Sequence, residues 1–193
     1  MDMLVAGLIV FLGVHSTRVF AESWRARWVA RIGEKPWKGA YAIVSVAGFF
    51  LLVWGYGLAR QSPVVLWTPP RGMNHLAALL TLVSFVMLAA AYVPGNGIRS
   101  RLKHPMVLAV KVWTFAHLVS NGALADVVLF GAFLVWAVLV FRASRQRDRA
   151  QGTVYAPGTA ARTWITIVAG AGAWLVFAFW GHARLIGVSP LGV

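Results

Sequence analysis

Six apolar stretches divide the chain: Leu4–Phe20, Ala40–Leu58, Asn74–Val93, Pro105–Asn121, Asp126–Phe141 and Trp164–Ile186. Each approaches the roughly 17–25 residues a helix needs to cross a hydrocarbon core, the fifth being the shortest. The pattern predicts an all-α fold, a polytopic membrane bundle of six transmembrane helices in a single domain over residues 1–193. Pro105 suits the first position of the fourth helix and Asn121-Gly122 its end. Runs four and five are separated only by Gly122-Ala123-Leu124-Ala125, which predicts a tight antiparallel helical hairpin. Arg142–Thr163 is the one long polar connection, contains Gly and Pro, and is expected to be mobile.

Composition agrees with a bilayer. Hydrophobic residues make up 60% of the chain, against roughly 45–50% in soluble domains. Ten tryptophans and eleven phenylalanines suit the interior and the two interfacial belts. The net charge of +13 would fit a nucleic-acid partner, but the basic residues lie in short segments between apolar runs, so topology explains them and nucleic acid is not expected. Arg25, Arg27, Arg31, Lys35 and Lys38 fall in the first connection, Arg99, Arg101 and Lys103 in the third. Arg142, Arg145, Arg147, Arg149 and Arg162 fall in the fifth, whereas the opposite side has only Arg60, Arg71 and Arg184. Thirteen against three places the basic side in the cytoplasm and both termini outside it. The first run resembles a signal peptide at Val19-Phe20-Ala21, but its basic residues follow it instead of preceding it, which favours a retained helix.

Small residues hint at packing. Ser45, Gly48, Gly55 and Ala59 fall along one stripe of the second helix, and Gly170 and Gly172 lie in the sixth. Such faces let helices approach closely, or let a flat macrocycle lie against backbone; close packing is the commoner reason.

Ionisable residues inside an apolar helix are costly and are read first as functional. The fourth stretch has Lys111 about 6 residues in and His117 about 12, roughly 18 Å along the axis. Trp113 and Asn121 share the face of His117, so Asn121 is expected to orient its ring. His15 lies in the cytoplasmic half of the first helix, with Arg18 one turn on. The bland alternative for both is a neutral imidazole bonded to a neighbouring helix. His104 reads as an N-cap beside Lys103, His75 as interfacial behind Asn74 as N-cap, and His182 as a last-turn histidine suited to the helix dipole.

With no cysteine there is no disulfide, iron–sulfur cluster or thiolate ligand. His15 and His117 differ in expected height by roughly 10 Å, too far to share one bare ion, yet compatible with opposite faces of a haem. Arg18, Arg101, Lys103 and Lys111 are available for its propionates. This spacing permits a bis-histidine haem without demanding one. The five carboxylates, Asp2, Glu22, Glu34, Asp126 and Asp148, do not pair within a span, so a carboxylate-driven proton pump is not expected.

The run His104-Pro105-Met106, Trp113, His117-Leu118, Asn121-Gly122 and Leu129-Phe130-Gly131 resembles the signature of the NnrU family. So do the opening Phe11-Leu12-Gly13-Val14-His15-Ser16 and the closing Gly187-Val188-Ser189-Pro190. The family takes its name from proteins encoded with nitrite and nitric oxide reduction genes in denitrifying bacteria; a relative is zeta-carotene isomerase, a membrane enzyme that isomerises a 15-cis double bond using haem b. The resemblance implies haem b with axial ligands at His15 and His117, the histidine of the isomerase's HP motif matching His104, and a multi-pass protein of the bacterial inner membrane. The isomerase also uses a cysteine in ligand exchange, which this chain lacks. The leading expectation is a haem b protein serving denitrification through electron transfer, binding of a small gas ligand, or support of a reductase as redox partner. A second is an isomerase of an apolar polyene. A third is a cofactor-free transporter or structural subunit of the lipid bilayer.

Overall fold

The computed structural model describes residues 1–191. Its helices are α1 (Asp2–His15), α2 (Thr17–Phe20), α3 (Glu22–Ile32), α4 (Glu34–Ala59), α5 (Met73–Tyr92), α6 (Gly97–Leu102), α7 (Pro105–Ser120), α8 (Leu124–Ala150), α9 (Ala160–Val176) and α10 (His182–Ile186). A π-helical turn at Phe177–Gly181 joins α9 to α10. No strand occurs among the described residues, only the isolated bridges Val65–Ala123 and Asn96–Thr159.

Four helical segments are long and apolar enough to cross a membrane: Glu34–Ala59, Met73–Tyr92, Leu124–Ala150 and Ala160–Ile186. Residues on their surfaces are apolar, as in Ile43 (72% exposed) and Val168 (68%), which suits lipid in place of water. α1 and α7 are apolar but have only 14 and 16 residues, about 21 and 24 Å at 1.5 Å per residue, against a core of about 30 Å. Length and composition therefore establish four candidate crossings, not six.

The connections are more helical than expected. The first basic connection is the helix α3, and Lys35 and Lys38 belong to the start of α4. Asn74 is not the N-cap of its helix; Gly72, at φ +87°, takes that place. α8 begins at Leu124, leaving only Asn121, Gly122 and Ala123 between α7 and α8. The segment from Arg142, expected to be mobile, continues α8 to Ala150 and is then tied down. Thr159 N–H donates to the Gly95 carbonyl (2.9 Å), and Gly97 N–H to Thr163 Oγ1 (2.8 Å).

The chain divides into two compact units, residues 1–67 with 122–140 and residues 68–121 with 141–193. In the first, α1 packs on α4 through glycine. A Cβ on Gly48 would lie 2.8 Å from the Phe11 nitrogen, and Cβ atoms on Gly7 or Gly55 would strike the backbone at Leu52 or Leu4. The stripe read from Gly48 and Gly55 is thus a helix–helix contact. The same unit buries Asp126, whose Oδ1 accepts from the Tyr56 hydroxyl (2.5 Å) and whose Oδ2 accepts from Ala123 N–H (3.1 Å) at the start of α8. In the second unit α5 packs on α7 and α9. Ser84 Oγ donates to the Ala109 carbonyl (2.8 Å), and a Cβ on Gly170 would come within 2.5 Å of Val86 Cα. Gly172 faces open space and takes no part.

Candidate functional site

In the second unit a cavity of about 290 Å³ opens between α5, α7, the π-helical turn and the segment after α10. α7 contributes Trp113, His117 and Ser120, with Asn121 just beyond its end; α5 contributes Asn74, Thr81 and Phe85. Trp174, Phe177 and His182 close it from the last helical run, with Val188, Ser189 and Pro190. Trp113 and His117 share one face of α7 because they are four residues apart, as the sequence indicates, whereas Asn121 is the extended residue that caps the helix. The π-helical turn adds a residue to the helix immediately before His182, a local distortion that is common at functional sites. Gly187, at φ +77°, ends α10 in the left-handed region and turns the chain so that Val188 lies beside His182.

The imidazoles of the cavity are held in defined tautomers. His117 Nδ1–H donates to the Trp113 carbonyl at 2.9 Å, and His182 Nδ1–H to the Val188 carbonyl at 2.7 Å. A carbonyl can only accept, so each Nδ1 carries the proton and the basic lone pair belongs to Nε2. This is the arrangement in which a backbone carbonyl orients a metal-binding histidine. Asn121 does not orient the His117 ring as expected; its Nδ2 donates to the His117 main-chain carbonyl (2.9 Å). No Asp, Glu, Lys or Arg lines the cavity among the described residues.

His15 lies in the first unit and repeats the device, its Nδ1–H donating to the Phe11 carbonyl at 2.7 Å. Aromatic rings surround it: the ring centroids of Phe11, Tyr41 and Trp136 lie 4.2, 5.3 and 6.3 Å away. The buried Trp136 Nε1–H has no hydrogen-bond partner among the described residues, an unusual state for a buried donor. Arg18 does not continue the helix of His15; Ser16 interrupts it and Arg18 belongs to α2.

His104 and Lys111 have structural explanations. His104 is the N-cap of α7, as expected, about 20 Å along that helix from His117. Its Nε2–H donates to Asp148 Oδ2 at 2.8 Å, an oxygen that also accepts from Arg145 (3.1 Å) and from the Tyr155 hydroxyl (3.1 Å). Lys111 Nζ sits 4.3 Å from the centroid of Phe141, so a cation–π contact accompanies its charge. His75 is exposed and does not line the cavity. Sequence reasoning left open whether His104 or His182 replaces one of the chosen ligands and did not foresee the Asp148–Tyr155 joint; the left-handed Gly187 after a histidine-bearing last turn was the available signal for His182. No group of three or more His, Asp or Glu side chains suited to a metal ion occurs among the described residues.

Comparison with known families settles the ancestry. The family model described as NnrU protein matches residues 3–190, nearly the whole chain. The chain belongs to the NnrU family. No curated protein and no solved structure matches it. Trp113, His117 and Asn121 and the closing Val188-Ser189-Pro190 of this NnrU protein, distant in sequence, line one cavity.

Proposed function

We propose that this NnrU protein is a b-type haem protein of the bacterial inner membrane that crosses the bilayer six times, with both termini on the periplasmic side. The observation that carries the reading is His117: an imidazole within an apolar helix, fixed by the Trp113 carbonyl so that Nε2 is the basic nitrogen, in an aromatic-walled cavity. The residues present fit the group. His117 would provide a nitrogen to the iron, and His15, in the first unit, has the same tautomer. His104 is the less suited ligand, because its Nε2 is engaged by Asp148. Lys111, on the same helix as His117, is the cation assigned to a propionate.

Bound haem would supply one-electron chemistry or a site for a small gas ligand, in keeping with a role in nitrite and nitric oxide metabolism. The chain's own residues set the conditions for it. The backbone carbonyls of Trp113 and Phe11 orient the two rings and raise the basicity of Nε2, while the aromatic walls exclude water. The shorter helices α1 and α7 complete the six crossings by packing on α4 and α5, with the local bilayer thinning to meet them.

The test is the visible spectrum of protein purified in detergent after haem-supplemented expression. A Soret band that sharpens on reduction with dithionite is expected, together with its loss in His117→Ala and its retention in His75→Ala. His15→Ala is expected to lose the band as well, and a band retained in both single variants would overturn the ligand assignment. A colourless wild-type protein would refute the reading. Incubation with poly-cis zeta-carotene, followed by chromatography, separates the isomerase reading, which requires the di-cis product.

A further inference from the structure

The helix α3 carries an exposed apolar stripe beside arginines that have no carboxylate partner among the described residues, and it stands at the foot of a helix long enough to cross a membrane. We infer that α3 lies in the head-group layer of the bilayer, with Trp24, Trp28 and Ile32 turned into lipid and Arg27 and Arg31 on the phosphates of anionic phospholipids.

Length is the first reason. α3 has 11 residues, about 16 Å at 1.5 Å per residue, roughly half of a hydrocarbon core, so it does not cross. Only Gly33, at φ +90°, separates it from α4, whose 26 residues are long and apolar enough to span. A glycine in the left-handed region lets the chain turn at once into the next helix, which keeps the end of α3 within one residue of the start of the crossing. The second reason is the pattern of side chains. Trp24, Trp28 and Ile32, four residues apart, form one stripe and are 43%, 39% and 39% exposed. Trp24 meets Trp28 at 6.1 Å and Trp37 of α4 at 5.5 Å between ring centroids, yet α3 buries none of its residues. Ala26 and Ala30 occupy the opposite side of the helix and are exposed too. A short helix with indoles on one face and arginines at its edge is the form that settles in a membrane interface.

Charge decides which lipid. Glu22 accepts from Arg25 (2.9 Å) and Glu34 pairs with Lys38 (2.7 Å), so both nearby carboxylates are engaged within the chain. Arg27, Arg31 and Lys35 form no ion pair or side-chain hydrogen bond among the described residues. Arg31 lies over the Trp28 ring instead, its Cζ 5.8 Å from the centroid, which puts a cation directly on the apolar stripe. Cations at the rim of such a stripe attract the phosphates of an anionic leaflet, while the long arginine stems lie along the same apolar surface. In water the stripe would be an uncovered apolar patch. No residue assigned to haem lies in α3, so a colourless protein would leave this surface unchanged.

The chain has no cysteine, so a single introduced one is a unique attachment point for a nitroxide spin label. Labels are placed one at a time through Trp24→Cys, Ala26→Cys, Trp28→Cys, Ala30→Cys and Ile32→Cys in the full-length protein. Each is reconstituted in liposomes of phosphatidylethanolamine and phosphatidylglycerol. Power saturation of the electron spin resonance then compares collisions with oxygen, which concentrates in lipid, and with a nickel chelate, which stays in water. Oxygen should dominate at positions 24, 28 and 32, and the chelate at 26 and 30. Replacing phosphatidylglycerol by phosphatidylcholine, or combining Arg27→Gln with Arg31→Gln, should reduce the oxygen preference along the stripe. Chelate access at all five positions would overturn the inference. So would a stripe shielded from both reagents, the sign of a second protein copy covering it, or an oxygen preference indifferent to lipid charge. Ile32→Cys and Ala26→Cys spare the tryptophans and decide the matter even if a tryptophan variant fails to fold.

Discussion

At the scale of single residues, what sets the histidines apart is the partner of each ring nitrogen. His15, His117 and His182 all spend Nδ1–H on a main-chain carbonyl, whereas His104 spends Nε2–H on a carboxylate. The first three keep Nε2 as the basic nitrogen; the fourth joins α7 to the end of α8. Tyr155 belongs to that joint, and burial, then its hydrogen bond to Asp148, raises its phenol above the ordinary value of 10.0. A raised acid contributes stability that is present below its unfolded pKa and lost as pH rises through the folded one. The stability difference between wild type and Tyr155→Phe, from thermal unfolding in detergent, is therefore expected to be present below the ordinary tyrosine value and to shrink as pH rises above it. A difference independent of pH would contradict the assignment. The positions of His15 and His117 were legible because an ionisable group stands out in an apolar helix. Their partners were only partly so: the i−4 carbonyl follows from helix geometry, but the return of Val188 to His182 depends on a turn at Gly187 whose consequence lies in three dimensions.

Elements bring a different contrast, between glycines that look alike in sequence. Gly55 and Gly57 both lie in α4, yet a Cβ on Gly55 would strike the Leu4 backbone, while one on Gly57 would meet nothing within 4 Å. Gly55→Val is expected to destabilise the protein by about 1–3 kcal/mol or more, because backbone cannot yield as a side chain does. Gly57→Ala should leave the unfolding midpoint unchanged or raise it. Equal effects would show that α1 and α4 are not packed through this stripe. Hydropathy located the cores of α4, α5, α7 and α9 well, since lipid imposes one simple rule on them. It missed α3 and the last two turns of α8 because those are polar helices, and an arginine-rich helix carries no apolar run by which to recognise it.

For the whole molecule, topology is the largest open consequence of the sequence. The expected split of thirteen basic residues against three needs six alternating crossings, whereas four helical segments among the described residues have the length to cross unaided. Entry of α1 and α7 into the bilayer, each packed on its longer partner α4 or α5, would supply the other two crossings. Reporter fusions at the two termini, with alkaline phosphatase active outside the cytoplasm and a fluorescent protein bright inside, should place both termini outside. Termini on opposite sides would require an odd number of crossings and would break the charge alternation.

The central claim is that His117 holds iron porphyrin. Its most direct measure is the ratio of haem to polypeptide, by pyridine haemochrome assay, in wild type and His117→Ala purified side by side after haem-supplemented expression. One haem b per chain in the wild type and almost none in the folded variant is the predicted result. A variant that retains the full wild-type ratio would contradict it.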